Sequence, residues 1–191
     1  LAGSALSPTV AAGPTGSAMK LSSFEAIVRA LNEAGVPFLV VGGIAVVHHG
    51  YGRLTHDIDL VVRLEREIVE RTFKALASAG YKPMTPITAA QFADPALREV
   101  WQREKNMKVL RFWSDAHPET ALDLFINEPF DFAAEHAKAD IQEAAPGLQV
   151  RIVALETLLA MKRAAGRLLD LADIDELNLL HGKPSSYDRE V

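Results

Sequence analysis

Apolar residues along the chain recur with two different periods. Phe24, Ile27, Val28 and Leu31 follow at helical spacing from Ser22-Ser23-Phe24-Glu25, which has the form of a capping box, and Gly35 supplies a stop. Pro37 then precedes Phe38-Leu39-Val40-Val41, a short continuous apolar run suited to a buried strand and closed by Gly42-Gly43. Residues 44–49 fit a short helix opening out of these glycines. A polar loop, Gly50-Tyr51-Gly52-Arg53-Leu54-Thr55-His56, leads into Asp57-Ile58-Asp59-Leu60-Val61-Val62, a strand with its aspartates at period two.

Residues 65–79 form an amphipathic helix with Ile68, Val69, Phe73 and Leu76 on one side and Gly80 at its end. Residues 88–104 are helical with a break at Pro95. Residues 107–113 and 120–126 are β-rich runs joined by a polar segment, which predicts a hairpin with a longer loop, and residues 148–153 offer one more strand. Two helices, 155–165 and 168–180, flank Gly166. No internal repeat is present, which excludes solenoids and propellers. The pattern predicts an α/β (α+β) fold with a small mixed sheet flanked by helices and a helical C-terminal part. Residues 19–153 form the core unit and 154–191 pack on it. Residues 1–18 carry no charge and no periodicity and read as a tail, an upstream linker or an expression remnant, because a secretory signal's basic start and apolar centre are missing.

Composition narrows the function. With 191 residues, 49% of them hydrophobic and 24% charged, the chain has the balance of a globular protein with a real core. The absence of cysteine excludes disulfide scaffolds, thiolate metal sites and cysteine nucleophiles, and makes a reducing, cytoplasmic location the expectation. No apolar run reaches the roughly 18 residues of a spanning helix, so no membrane partner is expected. A net charge of −5 argues against a surface built wholly for nucleic acid. Between residues 95 and 113, however, Arg98, Arg103, Lys105, Lys108 and Arg111 are interleaved with Trp101, Phe112 and Trp113. Such a stretch can track a nucleic-acid backbone, or its aromatics can simply fill the core.

The candidate chemistry lies between Gly42 and Asp59. Side chains two apart on a strand share a face at about 6.5 to 7 Å, so Asp57 and Asp59 emerge together while Ile58 and Leu60 point inward. Two carboxylates so close either hold a cation or leave one of them with a raised pKa, and Mg2+ (or Mn2+) suits a pair that shares its ion with phosphates and water. Asp123, the one charge in Thr120 to Ile126, calls for a partner: the same metal site, or a buried salt bridge to Arg111 across the hairpin. Three carboxylates on neighbouring strands can hold two ions for phosphoryl or nucleotidyl transfer. Gly42 and Gly43, after a strand and before a helix, allow close backbone approach to a polyphosphate. Arg53 and Thr55 lie in the loop feeding the site, where a guanidinium can clamp a phosphate or remain solvated. His48 and His49, being adjacent, point to different sides of a helix and read as structural. Lys162, Gly166, Asp170 and Asp173 fall near one helical stripe, either a charge-paired surface or, through Lys162, a nucleotide contact.

The run from Gly42 to Asp59 resembles the signature of the nucleotidyltransferase superfamily that includes DNA polymerase β, and it is most similar to the bacterial minimal and AbiEii-type toxin–antitoxin branches. Lys162, Arg167, Asp170 and Asp173 are similar to the basic and paired acidic positions on the C-terminal helices of those branches. The resemblance implies a polymerase-β-like fold and transfer of an NMP from an NTP, with two Mg2+ or Mn2+ ions as cofactors. Asp57 and Asp59 would bind both ions, and Asp123 would act as base or second-metal ligand. Gly42 and Gly43 would hold the phosphates, with Arg53, Thr55 and Lys162 as further nucleotide contacts. The acceptor would be a tRNA 3′ end, a hydroxyl of a cognate toxin or antitoxin protein, or an antibiotic hydroxyl. Many family members have Gly-Ser at the turn; Gly-Gly here loses a hydroxyl but keeps the backbone contacts. Two other readings stay open: a non-catalytic antitoxin or binding module of the same fold, and a glycosyltransferase using Asp-x-Asp to hold a metal and nucleotide sugar.

Overall fold

A computed structural model of the chain describes residues 19–182. The expected tail, 1–18, and the last residues of the C-terminal part, 183–191, lie outside the described residues. In chain order the elements are α1 (Leu21–Glu33), β1 (Phe38–Val41), α2 (Gly42–His48), β2 (Asp57–Val62), α3 (Arg66–Ser78), β3 (Lys82–Pro83), α4 (Ala89–Ala93), α5 (Pro95–Lys105), β4 (Val109–Trp113), β5 (Ala121–Phe125), α6 (Phe132–Lys138), β6 (Asp140–Ala145), β7 (Leu148–Ile152), α7 (Leu155–Ala165) and α8 (Leu168–Leu180).

The strands form one seven-stranded sheet in the order β3-β4-β5-β2-β1-β7-β6. It is mixed: β1 runs antiparallel to β2, β2 parallel to β5, and β4–β5 is the expected antiparallel hairpin. All four residues of β1 are buried, as a central strand covered on both faces requires. Its hydrophobic run is continuous for that reason, whereas β4 alternates, with Leu110 and Phe112 inward and Arg111 and Trp113 outward. α1 and α3 seat the expected Phe24, Ile27, Val28, Leu31, Ile68, Val69 and Leu76 in one core.

Four details differ from the sequence expectation. α1 starts at Leu21 with Lys20 as its N-cap and no side-chain cap. Ser23 is buried instead, donating its hydroxyl to Glu119 Oε1 at 2.9 Å and lying 2.9 Å from His117 Nδ1. The glycines belong to α2 rather than preceding it. The short β3, α6 and β6 were not foreseen. The basic and aromatic stretch is dispersed: Trp101 and Phe112 are core residues, Arg98 donates to the Phe92 carbonyl at 2.6 Å, and Trp113 is outside with Lys82 Nζ 5.4 Å over its ring.

The charge stripe on the C-terminal helices is not a surface feature either. Asp170 and Asp173 on α8 are buried, and the buried Lys162 of α7 donates to them at 3.2 and 2.6 Å. Arg53 Nη2 donates to the same Asp173 at 3.1 Å, and Arg167 Nε to Asp170 at 2.7 Å. Burial pushes the Asp170 carboxyl up, but hydrogen bonds from Arg167 and Lys162 outweigh it and hold the group below its ordinary value. Removing one member of a buried ion cluster strands its partners' charge, at about 3–5 kcal/mol. Lys162→Met should therefore lower unfolding free energy by about that amount in urea titration, and a loss below about 1 kcal/mol would show that these ions are solvated in solution.

Candidate active site

The site forms where β2 lies between β1 and β5. The parallel register sets Asp59 opposite Asp123 and Asp57 opposite Ala121. The pleat then turns Asp57, Asp59 and Asp123 to one face, while Ile58, Leu60, Leu122 and Leu124 are fully buried on the other. The register thus brings the three expected carboxylates to one face of the sheet.

The electrostatics follow from that crowding. Burial raises the Asp59 carboxyl from 3.8 to about 6, the charges of Asp57 and Asp123 push in the same direction, and a hydrogen bond from the Gly43 backbone N–H and the charge of Arg167 oppose them. Arg111, on the neighbouring β4, donates Nε to Asp123 Oδ1 at 2.7 Å and Nη2 to Asp123 Oδ2 at 2.6 Å, and Nη2 also reaches Asp57 Oδ2 at 3.0 Å. The hydrogen bonds with Asp123 hold the guanidinium above its ordinary pKa. The salt bridge and the carboxylate cluster, read from sequence as alternatives for Asp123, therefore coexist. Arg111 stands where the sequence placed it, across the hairpin from Asp123, and its reach to Asp57 is the part the sequence did not show. The cross-strand register Arg111 opposite Asp123 was the signal, and it depends on the pairing of the hairpin.

The glycine turn is fitted to the carboxylates. Gly42 has φ +64, in the left-handed region, and a Cβ there would lie 1.9 Å from Asp59 Oδ2. A Cβ on Gly43 would lie 2.4 Å from Thr55 Oγ1 and 3.4 Å from Arg53 Nη2. Both loop residues expected at the site are therefore packed on the turn. Thr55 donates its hydroxyl to the Asp57 carbonyl at 3.2 Å, and Arg53 is held by Asp173. Lys162 is one ion pair further back, sealed behind Asp173. Arg167 faces the cluster electrostatically while bonded to Asp170.

No protein-family model matches the chain, and no curated protein matches it in sequence. Solved structures do. The lincomycin-bound lincosamide antibiotic adenylyltransferase LnuA superposes with a TM-score of 0.55 at 14% identity, covering 86% of this chain and 99% of that one. The fold is that of the nucleotidyltransferases. The solution structure of the antibiotic-resistance factor ANT(2'')-Ia gives a TM-score of 0.51 at 18% identity, over 84% of this chain and 80% of that one. Its crystal structure with adenylyl-2''-tobramycin gives 0.50 at 14% identity, over 85% and 94%. The α/β sheet with flanking helices predicted from sequence is this nucleotidyltransferase fold.

The donor set fits a hard divalent cation: carboxylate oxygens only, mutually repelling, on one face. The raised Asp59 carboxyl measures how unfavourable its charge is at this buried, acidic position. With Asp59 at 3.8 in the unfolded chain and about 6 in the folded one, the folded protein keeps a proton that the unfolded chain has released between those values. Above about 6 both states are ionised and the native state carries in full the cost of burying that charge beside Asp57 and Asp123, so the cost is present at high pH and vanishes as pH falls through that window. In chelator, Asp59→Asn should raise the melting temperature at about pH 8, with the gain shrinking to nothing near pH 4. Gly42→Ala should lose stability by about 1–3 kcal/mol in denaturant titration, from the left-handed backbone and the collision with Asp59.

Proposed function

We propose that the chain is a metal-dependent nucleotidyltransferase that moves an NMP from an NTP to a hydroxyl acceptor. The observation that carries this reading is the convergence of Asp57, Asp59 and Asp123 beside the Gly42-Gly43 turn. Asp57, Asp59 and Asp123 would hold two Mg2+ or Mn2+ ions, which when bound supply charge neutralisation of the triphosphate and a more acidic acceptor hydroxyl. The Gly42-Gly43 turn at the start of α2 admits phosphate oxygens against its backbone. Thr55 Oγ1 occupies the space a side chain at position 43 would need, and so supplies the hydroxyl that a Gly-Gly turn lacks. Arg53 and Arg167 place positive charge beside the polyphosphate, Arg53 being anchored through Asp173 to Lys162. Asp123 accepts the acceptor's proton, the oxygen attacks the α-phosphorus in line, and pyrophosphate leaves.

The lincosamide and tobramycin acceptors named for the structural neighbours make a small-molecule hydroxyl the first class to try. The sequence resemblance adds a tRNA 3′ end and a hydroxyl of a toxin–antitoxin partner. A second reading, a non-catalytic binding module, draws on the grip of Arg111 on Asp57 and Asp123, which occupies two of the three carboxylates.

Incubation with each α-labelled NTP, Mg2+ or Mn2+, and in turn lincosamides, aminoglycosides, total RNA and cell lysate separates these readings. Label on one acceptor class, lost by at least about a hundredfold in Asp57→Asn, is the expected result. No label above that variant in any fraction would overturn catalysis in favour of the binding module.

A further inference from the structure

The far end of α2 carries a second group of ligand-bearing side chains. His48 is the last residue of the helix and His49 its C-cap, with φ −79 and ψ 10. The two imidazoles nevertheless lie against each other. Their ring centroids are 4.8 Å apart, edge to face. Asp140, the first residue of β6, reaches the same corner from 92 positions away, with Oδ2 3.0 Å from His48 Nε2. One ligand atom from each of His48, His49 and Asp140 falls within 4.8 Å of the others. A tetrahedral Zn2+ with bonds of about 2.0–2.2 Å holds its ligands about 3.3–3.6 Å apart, so the widest pair of this set must draw in by up to about 1.5 Å to share an ion.

The surroundings of His49 match a metal ligand. Its Nε2 lies 2.9 Å from the Val153 carbonyl oxygen, which can only accept, so Nε2 carries the hydrogen and Nδ1 the lone pair. A ligating histidine is commonly oriented through its other nitrogen in this way, by a carbonyl or carboxylate. The His181 ring packs 6.5 Å from that of His49, and its Nε2 donates to the His49 carbonyl at 2.9 Å, pinning the same backbone. Two imidazoles and one carboxylate, with Asp140 about half exposed, make a borderline donor set with solvent access, as Zn2+ takes when water completes its coordination.

We infer that His48, His49 and Asp140 form a binding site for a divalent transition metal, best matched by Zn2+, distinct from the carboxylate cluster at the other end of α2. α2 is seven residues long, which separates the two sites by about 10 Å of helix. A metal here ties the C-terminal end of α2 to the edge strand β6 and so fixes the helix whose first residues form the glycine turn. The all-oxygen cluster around Asp59 suits Mg2+, whereas the imidazole pair selects softer ions, so the two sites sort metals by chemistry.

Calorimetric titration of the metal-free chain with Zn2+ alone tests this, with Co2+ absorption as a readout of coordination geometry. The expected result is about one equivalent bound, retained in Asp57→Asn and weakened at least about tenfold in both His48→Gln and Asp140→Asn. Asp140→Asn lies at the exposed start of an edge strand, and a far-UV spectrum like that of the parent chain qualifies it if His48→Gln fails to fold. No Zn2+ binding by the parent chain would overturn the site. So would binding that survives Asp140→Asn and disappears in Asp57→Asn, because the ion would then sit on the carboxylate cluster.

Discussion

The parallel register between β2 and β5 is the constraint on which the rest depends. It forces Asp59 against Asp123, with Asp57 on the same face, and so concentrates negative charge at the centre of the sheet. Keeping Asp59 charged there is costly, first because it is buried and then because Asp57 and Asp123 lie near: a rise of its carboxyl from 3.8 to about 6 corresponds to about 3 kcal/mol. A slip of one residue would remove the Asp123 share of that cost, which ranks after burial and the charge of Asp57, but would also turn Leu122 and Leu124 out of the core. Each of those leucines is fully buried and contributes about 1.5–3 kcal/mol. Together with Ile58 and Leu60 on the partner strand they outweigh the repulsion, so hydrophobic burial holds the carboxylates together.

The surrounding residues answer the charge so created. Arg111 meets it from β4, the charge of Arg167 from the start of α8, and the Gly43 N–H from α2. Each arrives from a different element, and each is placed by that element's own packing. Arg111 alternates with the buried Leu110 and Phe112, so the side chain that neutralises Asp123 is fixed by the same pleat that buries its neighbours. The grip of Arg111 and the binding of a divalent cation draw on the same oxygens of Asp57 and Asp123. Under the proposed function a cation on these carboxylates would therefore compete with the guanidinium, most directly at Asp123, both of whose oxygens Arg111 holds.

Much of this was legible in the sequence because the site rides on strongly patterned elements. β1 and β2 are short apolar runs bounded by glycine, proline and aspartate, and their limits coincide with the expected ones. The edge of the sheet was not legible. β6 reads Asp-Ile-Gln-Glu-Ala-Ala with half of its positions exposed and one buried, and an edge strand needs no apolar alternation to pair with its neighbour. β3 is too short to carry a period. α6 was missed although it announces itself: Asp131 caps it by accepting from the Ala134 N–H at 3.1 Å, the form of start signal that marks a helix.

α8 shows where polarity patterns mislead altogether. It points Asp170, Asp173 and Asn178 inward beside Ile174 and Leu177 and exposes Leu168, Leu169, Leu171, Leu179 and Leu180, so charge and leucine both sit against the pattern of an ordinary surface helix. The inversion follows from Lys162 and Arg53, whose charges need buried partners on the facing helix. Apolar residues of similar volume at these positions would often hold two helices together as well or better. They could not hold Arg53, whose guanidinium is drawn by Asp173 to within 3.4 Å of where a side chain on Gly43 would begin. The ion cluster therefore supplies placement rather than net stability: it carries position from the C-terminal helices to the glycine turn, through charged contacts whose geometry an apolar core would leave unspecified.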